Sequence, residues 1–208
     1  MKKIIFPIAL SVLLFSCGED KKDANHTKDT TTKEEVATPK EPEVDLSELR
    51  DFDMSPYDLE ATLFIPKKSY MISEDEEGVE DPIVEHNEGE AYWNLSMRSD
   101  KNWNITVEDW GDEEKSIALE KEIHKENADV YDYKYIEEGK DYLLYQRALK
   151  LGGTTIEMDE KAASKLPNYH FVVVKKINGN YITIKSNDMG EFRKISAKKM
   201  LNSARATK

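Results

Sequence analysis

Asn178-Gly179 sits between two runs of alternating apolar residues, and no other feature of the chain narrows its fold so much. Both residues tolerate positive φ, so the pair selects a two-residue type I′ hairpin whose twist matches its strands. The turn sets the register: Ile177 opposite Asn180, Lys175 opposite Ile182, and Val173 opposite Ile184. One face then carries Phe171, Val173, Ile182 and Ile184, and the other Val172, Val174, Tyr181 and Thr183. Both faces are apolar, so the pattern predicts cover on both sides of this part of a sheet.

Other stretches alternate with period two and read as half-buried strands. Leu59, Ala61, Leu63 and Ile65 form one such run, stopped by Pro66. Ala91, Trp93, Leu95 and Met97 form a second, and Trp103, Ile105 and Val107 a third, with Asp100-Lys101-Asn102 as the turn of a hairpin between them. A helix follows Gly111, with Asp112 as the expected N-cap and Glu113 and Glu114 beside the positive end of the dipole. Its expected buried stripe is Ser116, Ile117, Leu119 and Ile123, ending near Asn127. Strands are predicted at 130–136 and 142–149, a short strand at 155–158, and a helical turn at 160–166. The chain ends in a second helix, with Ser196 as N-cap and Ile195 and Met200 at the staple positions. Ala197, Met200, Leu201 and Ala204 make its apolar stripe. The expected fold class is α+β, a twisted antiparallel sheet with two main helices packed on it.

The N-terminus reads as an export leader. Lys2 and Lys3 precede an apolar run of 12 residues from Ile4 to Phe15. That length suits a signal peptide and falls short of the roughly 20 residues that span a bilayer. Leu14-Phe15-Ser16-Cys17 resembles the lipobox of lipoprotein signal peptides. The resemblance implies transfer of a diacylglyceryl group to the Cys17 thiol, cleavage after Ser16, and a fatty acyl chain such as palmitate on the amino group so freed. The competing reading is an ordinary secretory leader with an incidental cysteine. It is weakened because Cys17 is the only cysteine in the chain and falls at the expected boundary. More than one acyl chain is needed for stable anchoring, which a processed lipoprotein has.

Residues 17–44 read as a disordered acidic tether. Between Gly18 and Glu43 the only large apolar residue is Val36, and Pro39 and Pro42 stiffen the end. Glu19, Asp20 and Asp23 resemble the surface-export signal of lipoproteins from the Bacteroidetes group, and Asp29-Thr30-Thr31 resembles an O-glycosylation motif of the same group, on Thr30. Residues 45–208 are expected to form a single globular domain. The formal charge is −12, and loss of Lys2 and Lys3 with the leader takes it to about −14. Such a charge excludes nucleic acid as a partner and disfavours docking flat on an anionic leaflet. The expected site is the cell envelope, lipid-anchored at the outer membrane through Cys17 and facing the periplasm or the cell surface.

The domain resembles a loose group of small Bacteroidetes-type lipoproteins of unknown function. The matching features are Val44-Asp45-Leu46-Ser47, a strand ending Phe64-Ile65-Pro66-Lys67, the final hairpin, and the helix from Ser196 to Arg205. In element order it also resembles the PsbP-like α/β/α sandwich. Both resemblances imply a fold and carry over no functional residue.

Motifs of known chemistry fail one by one. His86, His124 and His170 fall on separate elements with no zinc-ligand spacing, and His26 lies in the tether. His124 reads as solvated beside Lys121 and Lys125, and His170 as a packed histidine. Ser73, Asp75, Glu77 and Gly78 mimic the start of an EF-hand loop, but the bidentate glutamate falls on Val84, so the run from Ser73 to Asp81 reads as a solvated loop. Gly152-Gly153-Thr154 is too short for a phosphate loop, and no Gly-x-Ser-x-Gly is present. Neither metal nor cofactor is expected. Trp93 and Trp103 lie on the apolar phase and read as core. Trp110 and Tyr92 do not, and are the candidate ligand-binding residues.

The functional expectation is a non-enzymatic envelope lipoprotein that engages another envelope protein. The alternative is a small-ligand or glycan-binding module that uses the exposed aromatics. A carboxylate-dependent hydrolase ranks last. The geometry discriminates: a concave pocket lined by Trp110 or Tyr92 favours the ligand binder.

Overall fold

The computed structural model describes residues 44–73, 76–155 and 168–208. The leader, Cys17, Thr30 and the tether to residue 43 lie outside them, as do the helical turn at 160–166 and most of the strand expected at 155–158.

The Asn-Gly hairpin forms as its turn dictates. Strands β11 (Tyr169–Ile177) and β12 (Asn180–Ser186) pair antiparallel, with Ile177 opposite Asn180, Lys175 opposite Ile182, and Val173 opposite Ile184. Asn178 and Gly179 both have positive φ, 50° and 99°. The hairpin is the centre of an eight-stranded antiparallel sheet. On one side β12 pairs with β7 (Asn104–Asp109), then β6 (Tyr92–Ser96) and the short β5 (Ile83–Glu85). On the other, β11 pairs with β9 (Tyr142–Leu151), which also carries β8 (Tyr131–Glu138) and β10 (Thr154–Thr155). The β6–β7 hairpin expected across Asp100-Lys101-Asn102 is present, with Trp93 opposite Val107 and Leu95 opposite Ile105.

Two further ribbons lie outside this sheet. Strand β1 (Leu49–Asp53) pairs with β2 (Thr62–Pro66), and β3 (Ser69–Ser73) with β4 (Glu76–Val79). Leu59, Ala61, Leu63 and Ile65 are all buried as the alternation predicts. The strand begins only at Thr62, because a 3-10 turn at Ser55–Tyr57 and a left-handed Asp58 fold the preceding residues back.

Two α-helices occur among the described residues: α1 (Ile117–Glu126) and α2 (Lys194–Ala206). Against them stand twelve strands, so the expected α+β sandwich of helices packed on a sheet, and its PsbP-like form, are corrected to a sheet-rich antiparallel fold. The error lies in segments read as loops. β1, β3, β4 and β5 are too short or too polar to show a period, and they take strand form from the edges they pair with. The run from Ser73 to Asp81 is a case in point. It was expected to be a solvated loop, yet it contributes to the β3–β4 ribbon, and buried Glu80 accepts the backbone N–H groups of Arg98 and Ser99 at 2.6 and 3.1 Å.

One core fills the space between the first sheet face, the β1–β2 ribbon and α2. Phe171, Val173, Ile182 and Ile184 meet Leu95, Ile105 and Val107 from the sheet, Leu63 and Ile65 from the ribbon, and the predicted α2 stripe of Ala197, Met200, Leu201 and Ala204. Trp93 and Trp103 belong to this core as expected, and Trp93 Nε1 donates to the Tyr57 carbonyl at 2.7 Å. The α2 start differs from expectation. Arg193 is the N-cap residue without a side-chain cap, Ser196 lies inside the first turn, and Ile195 points to solvent rather than stapling. The other end is held firmly. Lys175 Nζ donates to the carbonyls of Arg205 and Thr207 at 2.5 and 2.6 Å, which suits the negative end of the dipole. The last residue, Lys208, exchanges backbone hydrogen bonds with Thr62.

Candidate cleft beneath α1

The second sheet face is assembled by cross-strand register. Thr183 of β12 lies opposite Glu108 of β7 and Val174 of β11, and Lys185 lies opposite Val172. Val172 faces Leu143 of β9, and Tyr145 faces His170. β8 then adds Tyr135 opposite Tyr145, Tyr133 opposite Arg147, and Tyr131 opposite Leu149. Residues directly opposite each other share a face, so these side chains form one surface, apolar in the middle and aromatic or charged around it.

Helix α1 is the wall above that floor. Its N-cap is Ser116, whose Oγ accepts the Leu119 N–H at 3.3 Å, so the helix starts four residues later than the expected Asp112. The later start accompanies a different inward face. Ile117 packs on Leu143, Tyr145, Val172 and Val174, while Leu119 and Ile123, expected in the stripe, are 46% and 48% exposed. The second inward residue is His124, expected to be solvated and in fact 5% exposed. Its imidazole stacks on Tyr133 with ring centroids 4.0 Å apart and meets Tyr145 at 4.5 Å. Aromatic faces on β8 and β9 accept a flat ring better than a branched aliphatic, which turns the helix to this orientation.

Between helix and sheet lies a cleft of about 560 Å³. Trp110, the residue after β7, lines it together with Leu119, Ile123 and Tyr131. Trp110 Nε1 donates to Thr183 Oγ1 at 3.1 Å, and Thr183 donates onward to Glu108 Oε2 at 2.8 Å. Lys185 lies 2.8 Å from Glu108 and 3.6 Å from Asp188. Arg147 lies 3.6 Å from Asp188 and also donates to its carbonyl at 2.7 Å. Glu108, Lys185, Asp188 and Arg147 are therefore tied into a chain of ion pairs.

Burial sets the protonation states. It pushes His124 down to about 4, with Arg147 adding to the effect, and His170 down to about 3. Both are neutral near pH 7. His170 is packed as expected, with Nδ1 2.9 Å from Ser186 Oγ. Burial raises Glu120, on the inner side of α1, against the opposing pull of Lys185. Its Oε1 is 3.6 Å from His124 Nε2. Burial disfavours the charge on Lys185, but the Glu108 and Asp188 carboxylates outweigh it and the net shift is upward. The Tyr145 phenol is raised well above its ordinary value by burial.

The two aromatic candidates separate here. Trp110 is 38% exposed and forms part of the cleft. Tyr92 is equally exposed and lies on the same sheet face, opposite Glu108, but its hydroxyl donates to Asn94 Oδ1 at 3.0 Å and it stands outside the cleft. The third candidate position, Cys17, lies outside the described residues. Sequence reasoning missed Tyr131, Tyr133, Tyr145, Arg147 and Glu120. The alternation Tyr131-Asp132-Tyr133-Lys134-Tyr135 was a visible signal for the first two. Glu120 carried none, because one glutamate among many on a charged helix is indistinguishable before the helix is oriented. No family model matches the chain, and no curated protein matches it.

Proposed function

We propose that this chain is a lipoprotein, anchored through Cys17 in the cell envelope, whose domain binds a small ligand in the cleft beneath α1. The observation that carries the ligand reading is the cleft itself, lined by Trp110, Tyr131, Tyr133 and Tyr145. Its volume falls in the roughly 300–1,000 Å³ range of small-molecule sites, and Trp110, three tyrosines and aliphatic side chains line it together with fixed charges that would orient a ligand. The Glu108, Asp188, Lys185 and Arg147 network holds its geometry without a ligand, so little reorganisation is needed on binding.

The test is a ligand-observed NMR screen of sugars, amino acids, amines and carboxylates against the purified full chain. Hits are expected to lose binding in both Trp110→Ala and Tyr133→Ala. Hits that bind both variants as well as the unaltered protein refute the cleft. The anchor is tested separately. Cys17→Ala is expected to move the protein from the membrane pellet to the soluble fraction, and continued pelleting refutes lipid attachment.

A second reading, contact with another envelope protein, is favoured by one observation. Leu149 and Leu151, two residues apart and therefore on one face of β9, are exposed by 42% and 63%. Crosslinking in intact cells tests it, with a crosslinked species expected for the unaltered chain and lost in Leu151→Glu.

A further inference from the structure

The charges of the cleft point to the class of ligand, an inference that rests on the cleft being a ligand site. Each of its cations already has a carboxylate. Lys115 Nζ lies 2.6 Å from Glu113, Lys185 pairs with Glu108 and Asp188, and Arg147 pairs with Asp188. On the helix wall, Glu122 is matched by Lys125 at 2.6 Å. Glu120 makes no direct pair with a lysine or arginine among the described residues: Lys185 and Lys115 act on it from beyond pairing distance, and its ion-pair neighbour is His124, which is neutral near pH 7. A largely buried carboxylate that faces a cavity, while the nearest cations are committed to other carboxylates, favours a positive charge placed beside it.

The aromatic walls meet the same demand. The Lys115 ammonium sits 3.6 Å from the centroid of the Trp110 ring, and the Arg147 guanidinium 4.9 Å from that of Tyr131. The chain's own side chains thus show that these ring faces hold cations. His124 adds an independent observation. It lines the cleft, is 95% buried by its 5% exposure, and its Nδ1 has no hydrogen-bond partner among the described residues. With Nε2–H turned toward Glu120, Nδ1 is an acceptor short of a donor. The formal charge of −12 favours approach of a cation over an anion at long range.

We propose that the cleft binds a small organic cation, an amine or quaternary ammonium, with its charge set between Glu120 and the indole face of Trp110. Lys115 occupies that face in the free protein and gives way when the ligand enters.

The experiment titrates the purified full chain with choline and with 3,3-dimethylbutan-1-ol, its uncharged carbon isostere, and follows tryptophan emission. Trp93 and Trp103 are buried, so the response belongs to Trp110, and Trp110→Phe assigns it. Choline is expected to bind at least about tenfold more tightly than the isostere. Glu120→Gln keeps the shape of the side chain and breaks no direct pair with a lysine or arginine, removing only the longer-range pull on Lys185 and Lys115, and a thermal melt of the variant checks that it is folded. The substitution is expected to erase most of that difference. Lys115→Ala frees the indole face and is expected to tighten choline severalfold. Equal affinity for the two probes overturns the cation inference while leaving the cleft a ligand site. A response to neither probe also overturns it, and a neutral hit from the ligand screen that is lost in Trp110→Ala then keeps the site without its charge preference.

Discussion

On one face of the sheet, α2 and the β1–β2 ribbon cover Leu95, Ile105, Phe171 and Ile184 until none is exposed. On the other, α1 covers Leu143 and Val172 but leaves its own Leu119 and Ile123 half in water. The same strands supply both faces, with successive residues turned to opposite sides. The first face is apolar and filled, so its side chains contribute stability through burial and close packing. The second keeps two buried neutral histidines, a glutamate whose carboxyl burial raises, and a chain of ion pairs, and its helix leaves a cleft beside them. Groups of that kind are costly to desolvate and rarely add to stability. The difference separates the side of the protein that holds it together from the side that is free to bind.

The comparison can be attacked at its strongest point first. Phe171→Ala in the filled face is expected to lower unfolding free energy by about 3–5 kcal/mol. A loss under about 1 kcal/mol in chemical denaturation contradicts a close-packed first face. The next effect belongs to pH. His124 and His170 are depressed below the ordinary histidine value, so the unfolded chain takes up their protons first. Their contribution is fully present above about pH 6.5 and is lost as pH falls toward their folded values. Glu120, being raised, acts in the opposite sense and offsets part of the loss. The expected net loss between pH 7 and pH 5 is on the order of 3 kcal/mol. Unchanged stability across that interval means that the second face does not hold buried neutral histidines.

Smaller effects probe the orientation of α1. Ile117→Ala is expected to cost about 2 kcal/mol, because the residue is buried against Val172 and Val174. Leu119→Ala is expected to cost less than about 0.5 kcal/mol, since the side chain is largely in solvent. If the two losses come out reversed, the helix turns its sequence-predicted stripe inward and the cleft closes.

Parts of this architecture are legible without coordinates, and the reasons differ by element. The β11–β12 register follows from Asn178-Gly179 because a two-residue turn leaves one pairing open to the strands. Cover on both faces follows because Val172 and Val174 are as apolar as Phe171 and Val173. The α2 stripe is legible because Ala197, Met200, Leu201 and Ala204 recur at one helical spacing against a charged background. In α1, by contrast, Leu119 and Ile123 follow the helical spacing and still face outward. The ten-residue helix has little apolar area, so stacking of His124 on Tyr133 decides its rotation.

What the amino-acid order determined alone is local: where the chain turns, which residues alternate, which stripe of α2 must be covered, and where a leader and an acylated thiol are expected. Those features depend on residues within a few positions of each other, where backbone sterics and side-chain period act directly. Tertiary structure alone decided the cleft. Its parts come from β7, the segment 110–116, α1, β8, β9, β11 and β12, and from Asp188 beyond the last of these. Its protonation states depend on burial that exists only once the sheet and helix have met. Even the strand character of 49–53 and 83–85 is of this second kind, because a segment too short to show a period becomes a strand when a neighbouring edge offers it hydrogen bonds.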